Sequence, residues 1–314
     1  MKRLSRQELA DKRVGVLMGG LSVEREVSLR SGAAISKALR SLGHTVVDID
    51  VQRDVARRLL DERIDLAFIA LHGCYGEDGC IQGLLESMHI PYTGSGVLAS
   101  AVGMEKVFSK QVFLARGIPT PPYRSFDSAA AALAGLDALP FPLPAVVKPS
   151  REGSSVGVFI CRTREAYADA VEKAAQLAGS ILVEQFIAGR EIQGAVLDDA
   201  SLGAIEIVPA REFYDYEAKY SADSGTKYLF PAPLPAPQYA RVNAVCLAAH
   251  RALGCRGATR SDCIVTADGD VWLLELNTLP GMTATSLLPK IAAGQGIDFP
   301  SLCERLLLGA SLDA

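Results

Sequence analysis

Apolar positions in the first third of the chain follow two alternating rhythms. Val14 to Met18 is a short unbroken apolar run closed by Gly19-Gly20, which predicts a buried strand. Val27, Ala34, Ile35, Ala38 and Leu42 then share one helical stripe, with Gly43 as its stop. Thr45 to Val51 and Asp65 to Leu71 return to the strand rhythm, and the second runs into the loop HGCYGEDG. Strands alternating with helices predict a parallel sheet covered on both faces. Ligands of such sheets bind beyond the carboxyl ends of the strands, where Gly19-Gly20 and His72-Gly73 both fall.

The rhythm changes near residue 105. Lys106 to Arg116 reads as a helix, followed by the break IPTPPY. The strand AVVKPS, the loop REGSSVG, the strand VFICR, a helix over Glu165 to Ala178 and the strand ILVEQFI follow, a pattern that is antiparallel. The alanine-rich Ser128 to Ala138 reads as the one low-complexity linker. From Glu191 come the strands Ile192 to Leu197 and Ala204 to Val208, then the long polar stretch REFYDYEAKYSADSGTKYLFPAP. A loop of that length is functional or disordered, and its tyrosines and phenylalanines favour the first. Gln238 to Leu253 reads as a helix. Three parts are expected: 1–105, 106–190 and 191–314.

The last part ends in a hairpin, RSDCIVTADGDVWLLELNTLPGMT. Asp268-Gly269 between apolar runs is a two-residue turn signal. Counting outward, Ile264 faces Leu273, Asp262 faces Glu275 and Arg260 faces Asn277. Two carboxylates directly opposed on one face repel, unless they bracket a hard divalent cation, which takes oxygen ligands. Asn277 adds a third oxygen, so Asp262, Glu275 and Asn277 are the candidate metal ligands. The competing reading is a solvent-exposed polar strip, against which stand the adjoining Leu273-Leu274 and the Pro-Gly turn.

Composition narrows the classes. The chain has 314 residues, 32 basic and 36 acidic, with a net charge of −4, which argues against a nucleic-acid surface. No apolar run reaches the roughly 18 residues of a membrane span, and MKRLSRQELADKR has no signal-peptide core. The seven cysteines are scattered without a CxxC pair, which argues against zinc and a disulfide framework. A cytoplasmic enzyme is expected.

Other positions carry two readings each. Lys148, at a strand end before REGSSVG, suits phosphate or is a snorkelling lysine. Gly153 to Gly157 matches G-x-S-x-G, but that motif needs a following helix and VFIC reads as a strand. A Ser155 hydrolase, with His250 as base, is the minor alternative. Glu24 at a helix start either complements the helix dipole or pairs with a ligand's ammonium. His72 is a ligand contact or a turn histidine. Glu184 and Glu191 flank QFIAGR and can serve adenine and ribose, or be ordinary edge residues. Gln193, on the same strand, has no assigned role.

Taken together, GGLSVEREVSLRSG, LHGCYGEDGCIQG, VVKPSREGSSVGV, FYDYEAKY and LLELNTLPGMTATSL resemble, in order and over nearly the whole chain, the D-alanine–D-alanine ligases of the ATP-grasp superfamily. The resemblance implies an α/β, three-domain ATP-grasp fold with a Rossmann-like N-terminal substrate domain, α+β in its ATP-binding part. It implies phosphorylation of one D-alanine by ATP, attack by the amine of a second, and use of the dipeptide in peptidoglycan. Two Mg²⁺ ions (Mn²⁺ in their place) and a homodimer are further implications.

Residue by residue, the resemblance has Lys106 and Lys148 hold the α- and β-phosphates. Glu184 and the backbone of Gln185, Phe186 and Ile187 read adenine, and Glu191 the ribose. Asp262, Glu275 and Asn277 hold the metals. Glu24 takes the first ammonium and forms a set with Ser154 and Tyr220 that closes the long loop, while Lys219 reaches the transferred phosphoryl. Arg260 and the Gly281 N–H stabilise the oxyanion, Ser286 and Leu287 take the second carboxylate, and His72 touches substrate. Tyr220 favours an amine over a hydroxy acid such as D-lactate. Ala258, Thr259 and Ser261 depart from the bulkier residues of many relatives, which touches packing beneath Arg260.

Overall fold

The computed structural model describes residues 3–151, 153, 156–177, 180–209 and 225–313. Its strands divide among three sheets. The first is parallel, in the order β2 (Thr45–Val51), β1 (Arg13–Gly19), β3 (Leu66–Ile69). Short helix α1 (Arg6–Leu9) precedes β1, α2 (Arg25–Ser41) joins β1 to β2, and α3 (Val55–Asp61) joins β2 to β3. The α2 stripe buries Val27, Ile35, Ala38 and Leu39, and Gly43 takes the positive φ (88°) that ends the helix. Helices α4 (Cys80–Ser87) and α5 (Val97–Met104), which the periodicity reading passed over, lead to α6 (Lys106–Ala115).

The second sheet runs β4 (Tyr123–Phe126), β7 (Ile181–Gln185), β5 (Ala145–Pro149), β6 (Phe159–Cys161), all antiparallel. Its cover is α8 (Arg164–Leu177) and α7 (Ala129–Ala134). The alanine-rich stretch is thus a capped helix, not a linker: the Ser128 side chain accepts from the Ala131 N–H, and alanine has the highest helix propensity. Because β6 follows the G-x-S-x-G match and pairs with β5, the helix that a nucleophile elbow needs is missing, and Ser155 itself lies outside the described residues. His250 is buried, with Nδ1 2.8 Å from Thr259 Oγ1, so the hydrolase alternative falls.

The third sheet is β10 (Lys227–Leu229), β9 (Ala200–Val208), β8 (Arg190–Leu197), β11 (Ala258–Val265), β12 (Val271–Asn277). Helix α9 (Ala236–Ala252) packs on β8, β9 and β12, while α10 (Leu287–Gly294) and α11 (Phe299–Leu308) close the chain. One apolar core runs from Val14 and Val16 of the first sheet and Ile35 of α2 to Ala195, Ile205, Leu288 and Leu302 of the C-terminal part. The second sheet has a core of its own around Val147, Tyr167 and Val183.

The β11–β12 register holds a correction. Arg260 faces Asn277 and Asp262 faces Glu275 as the count predicts, but Ile264 faces Trp272, not Leu273. The turn carries three residues, not two: the Thr266 N–H donates to the Asp270 carbonyl (2.9 Å), the Gly269 N–H to the Thr266 carbonyl (3.0 Å), and Gly269 has φ 88°. A bulge at Leu274 then restores the expected pairing. An extra residue in one strand reverses which face its neighbours take. Leu273 therefore joins Cys263 in the core, while Glu275, two residues on, faces the opposite side.

Candidate functional site

Elements from all three sheets line one cleft: Glu24, His72, Lys106, Gly153, Gln193, Arg260, Glu275, Asn277, Gly281, Ser286 and Leu287. Glu24 reaches it because Gly19 and Gly20 turn the chain out of β1 with positive φ and Glu24 is the N-cap of α2. Its carboxylate sits between two loops. A Cβ built on Gly73 would lie 2.9 Å from Glu24 Oε2, and one on Gly153 would lie 3.7 Å away. Gly153, from the loop after β5 of the second sheet, thus comes to the first sheet's carboxyl edge. His72 is buried, with Nδ1 3.1 Å from Glu77 Oε1 and Nε2 3.4 Å from Ser31 Oγ. Both ring nitrogens are engaged within the protein.

Across the cleft, the Arg260 guanidinium donates to both oxygens of Asp262, at 3.0 and 3.3 Å. Lys106 Nζ lies 3.9 Å from Glu275 Oε2, and burial, only partly offset by Glu275, lowers the Lys106 pKa. Asn277 Oδ1 accepts from the Leu279 N–H (2.8 Å), which sets the turn after β12. No group of three or more His, Cys, Asp or Glu suited to a metal occurs among the described residues. The oxygen set here is two carboxylates and an amide. With Arg260 and Lys106 beside it, that donor set fits a hard cation shared with phosphate oxygens.

Beyond Gly281, Ser286 holds the N-cap position of α10, and its Oγ turns back to accept from the Thr283 N–H (3.0 Å) instead of capping the helix. A Cβ at position 281 would meet Ser286 Oγ at 2.9 Å, so a side chain there would displace the Ser286 hydroxyl. The Leu287 N–H is at the helix start, a natural seat for a carboxylate.

Behind Lys106 is a buried charge cluster. Glu184, 2% exposed, lies 2.5 Å from both Lys110 Nζ and Lys148 Nζ. Burial alone would raise the Glu184 carboxyl, but the two ammoniums outweigh it and hold it below its usual range. Lys110 has no exposed surface and donates to Thr120 Oγ1 (2.5 Å), and burial pushes it down to about 8 despite Glu184. The Gln185 and Phe186 N–H groups donate to the Pro122 and Pro144 carbonyls. Ile187 follows Phe186, and Glu191 faces Ile207 and Ile264 from β8. Neither is among the cleft-lining residues named above. Ser154, Lys219 and Tyr220 lie outside the described residues.

Lys110, Thr120 and Glu77 were missed by the sequence reading. The available signal for Lys110 was its spacing of four from Lys106, which puts both on one face of α6.

The D-ala D-ala ligase C-terminus family matches residues 112–308, and the D-ala D-ala ligase N-terminus family matches residues 54–95. Over 303 residues the chain is 58% identical to the D-alanine–D-alanine ligase of Anaeromyxobacter dehalogenans (strain 2CP-C), spanning 96% of this chain and 98% of that one. It is 54% identical to the corresponding ligase of Geobacter sulfurreducens over 98% of this chain and 97% of that one. Among solved structures, D-alanine–D-alanine ligase from Bacillus anthracis complexed with ATP superposes with a TM-score of 0.83 at 35% identity, over 95% of this chain and 97% of that one. VanG D-Ala:D-Ser ligase from Enterococcus faecalis gives 0.81 at 28% identity, over 94% and 98%.

Proposed function

The chain belongs to the D-alanine–D-alanine ligase family, and from that premise we propose that it joins two D-alanine molecules into D-alanyl-D-alanine while ATP becomes ADP and phosphate. The observation that carries the reading is the single cleft in which Glu24, Lys106, Arg260, Glu275, Asn277, Gly281 and Ser286 meet. An ammonium anchor, phosphate-binding cations, an oxygen face and a carboxylate seat are what an amino-acid ligase needs together.

In this reading Glu24 pairs with the ammonium of the first D-alanine and holds its carboxylate toward the nucleotide. Lys106 and Lys148 bind the phosphates, and Glu184, the backbone of Gln185 to Ile187 and Glu191 bind adenosine. The carboxylate attacks the γ-phosphorus, ADP leaves, and D-alanyl phosphate forms. The amine of the second D-alanine, seated by Ser286 and Leu287, attacks the carbonyl. Arg260 and the Gly281 N–H stabilise the oxyanion, and phosphate leaves. Asp262, Glu275 and Asn277 would hold two Mg²⁺ ions, or Mn²⁺, whose charge offsets that of the phosphoryl oxygens. Water must be excluded while the acyl phosphate lives. Ser154 and Tyr220, with Glu24, are assigned to the set that closes the long loop over the site, and Lys219 to the transferred phosphoryl. The three-part division at 105 and 190, a homodimer, a cytoplasmic location and supply of the dipeptide to peptidoglycan complete the proposal. No helix among the described residues is long and apolar enough to cross a membrane.

The test is ADP release with ATP, Mg²⁺ and D-alanine, run beside L-alanine and beside D-alanine plus D-lactate or D-serine, with products identified by mass. ADP matched by D-alanyl-D-alanine is expected. Turnover that requires D-lactate or D-serine would move the second subsite to another substrate, and no turnover in any arm would sink the ligase reading.

A further inference from the structure

Gln193 sits in β8 and pairs Cα to Cα with Asp262 of β11, which in turn pairs with Glu275 of β12. Side chains at directly paired positions share a face. An amide and two carboxylates therefore form one row across three neighbouring strands, on the face opposite Ile192, Cys263 and Leu273 of the core. Gln193 is 1% exposed and lines the cleft beside Lys106, Arg260 and Glu275. Its amide oxygen has no hydrogen-bond partner among the described residues. A buried acceptor left unmade costs free energy, and one in a cleft wall is completed by whatever the cleft binds.

The chemistry of the missing partner can be narrowed. The oxygen is an acceptor, so the phosphates and substrate carboxylates, also acceptors, cannot satisfy it. Ribose hydroxyls can donate, but the ribose is assigned to Glu191, two residues earlier in the strand. The first substrate ammonium is assigned to Glu24 and the second D-alanine to Ser286 and Leu287, which leaves the cation next to Asp262. Hard divalent cations gather six or more oxygens from carboxylates, amide carbonyls and water, and Asp262, Glu275 and Asn277 supply only part of such a shell. We propose that the Gln193 amide oxygen belongs to the metal end of the cleft, as an oxygen ligand to the Asp262-side cation directly or through one bound water. The proposal rests on the metal assignment made under the proposed function.

Mn²⁺ serves as the probe, its binding measured by electron paramagnetic resonance with a non-hydrolysable ATP analogue present. Gln193→Leu, which removes the oxygen at similar volume, should weaken Mn²⁺ binding about tenfold, while Gln193→Glu, which keeps an oxygen, should bind at least as tightly as the wild type. Nucleotide affinity in EDTA should be unchanged in Gln193→Leu, and its metal-free thermal midpoint should hold or rise, because an unmade buried acceptor is gone. Unchanged Mn²⁺ affinity in Gln193→Leu would overturn the proposal. So would an equal loss of nucleotide binding in EDTA, which would put the amide on the nucleotide. Glu275→Gln separates the two levels. If it loses Mn²⁺ while Gln193→Leu does not, only the Gln193 role fails; if it binds Mn²⁺ like the wild type, the metal face fails and this proposal with it.

Discussion

Glu184 is a buried carboxylate on which two cations converge. A carboxylate held by two lysines, with all three side chains nearly inaccessible, is expensive to break from one side only, because two buried cations lose their partner. Glu184→Gln should destabilise the protein by about 3–5 kcal/mol at neutral pH, read by chemical denaturation. The pH dependence has a definite sign. Glu184 titrates below its ordinary 4.5, so its contribution is present above about that pH and is lost as pH falls through the lowered value. The gap between wild type and Glu184→Gln should therefore close in acid; a gap that stays constant from pH 7 to 3 would show that the carboxylate is not the source. Lys110 works the other way. Pushed down to about 8 from 10.5, it is neutral in the folded chain while still protonated in the unfolded chain between those values, so it adds stability as pH rises across that window. Lys148 was legible in the sequence because it ends an apolar strand beside a glycine-serine loop. Lys110 was not, because inside a helical pattern a lysine reads as a solvated face; its side chain is enclosed by Glu184 of β7, Tyr123 of β4 and Thr120.

At the scale of elements, the β11–β12 hairpin shows what a pattern can and cannot specify. The pairs Asp262–Glu275 and Arg260–Asn277 follow from counting out of the turn, yet they hold because two departures cancel: one more loop residue and one bulge. Neither is marked in the sequence. Leu274 carries none of the glycine signal of some bulges, and Asp268-Gly269 favours the shorter turn. The burial pattern makes the difference testable. A regular strand would put Leu273 on the face of Glu275 and Leu274 in the core, whereas here Leu273 has no exposed surface and Leu274 is half-buried. Leu273→Ala should cost about 2–5 kcal/mol and Leu274→Ala well under half of that. Trp272, the only tryptophan, lies between β12's core positions and gives a fluorescence signal for both. Equal costs, or the reverse order, would rule out the bulge. The alanine-rich helix makes the complementary point: its serine cap and helix formers were present in the sequence, but low complexity masked them.

For the whole molecule, the relation between the first and third sheets decides whether Glu24 and Arg260 can address the same substrate. The two sheets share one apolar core, and a polar clasp reinforces it. The chain after α11 returns to the first sheet, where Ser311 exchanges backbone hydrogen bonds with Tyr92 (3.1 and 3.3 Å). Arg256, from the segment before β11, lies 4.7 Å over the Tyr92 ring and donates to Gly94 O (2.7 Å), Ser311 Oγ (2.5 Å) and Leu312 O (3.0 Å). Asp313 Oδ2 accepts from the Val97 N–H (3.0 Å) at the start of α5. Arg256 and Gly94 are 162 residues apart and leave no local periodicity, so three sheets could be expected from the sequence but not this seam. Arg256→Met keeps the bulk over Tyr92 and removes the buried donors, leaving three acceptors short. A loss of at least about 3 kcal/mol is expected, since hydrogen bonds from charged groups are worth about 1.5–3 kcal/mol each, with a fall in Tm of at least roughly 6 °C. The kinetic consequence should be uneven. The first D-alanine is assigned to Glu24 on one side of this seam and Arg260 on the other, so its KM should rise. ATP is assigned to the second and third sheets, which the clasp does not join, so its KM should hold. An equal rise in both would mean that Arg256 stabilises the chain without setting the geometry between the two ends of the cleft.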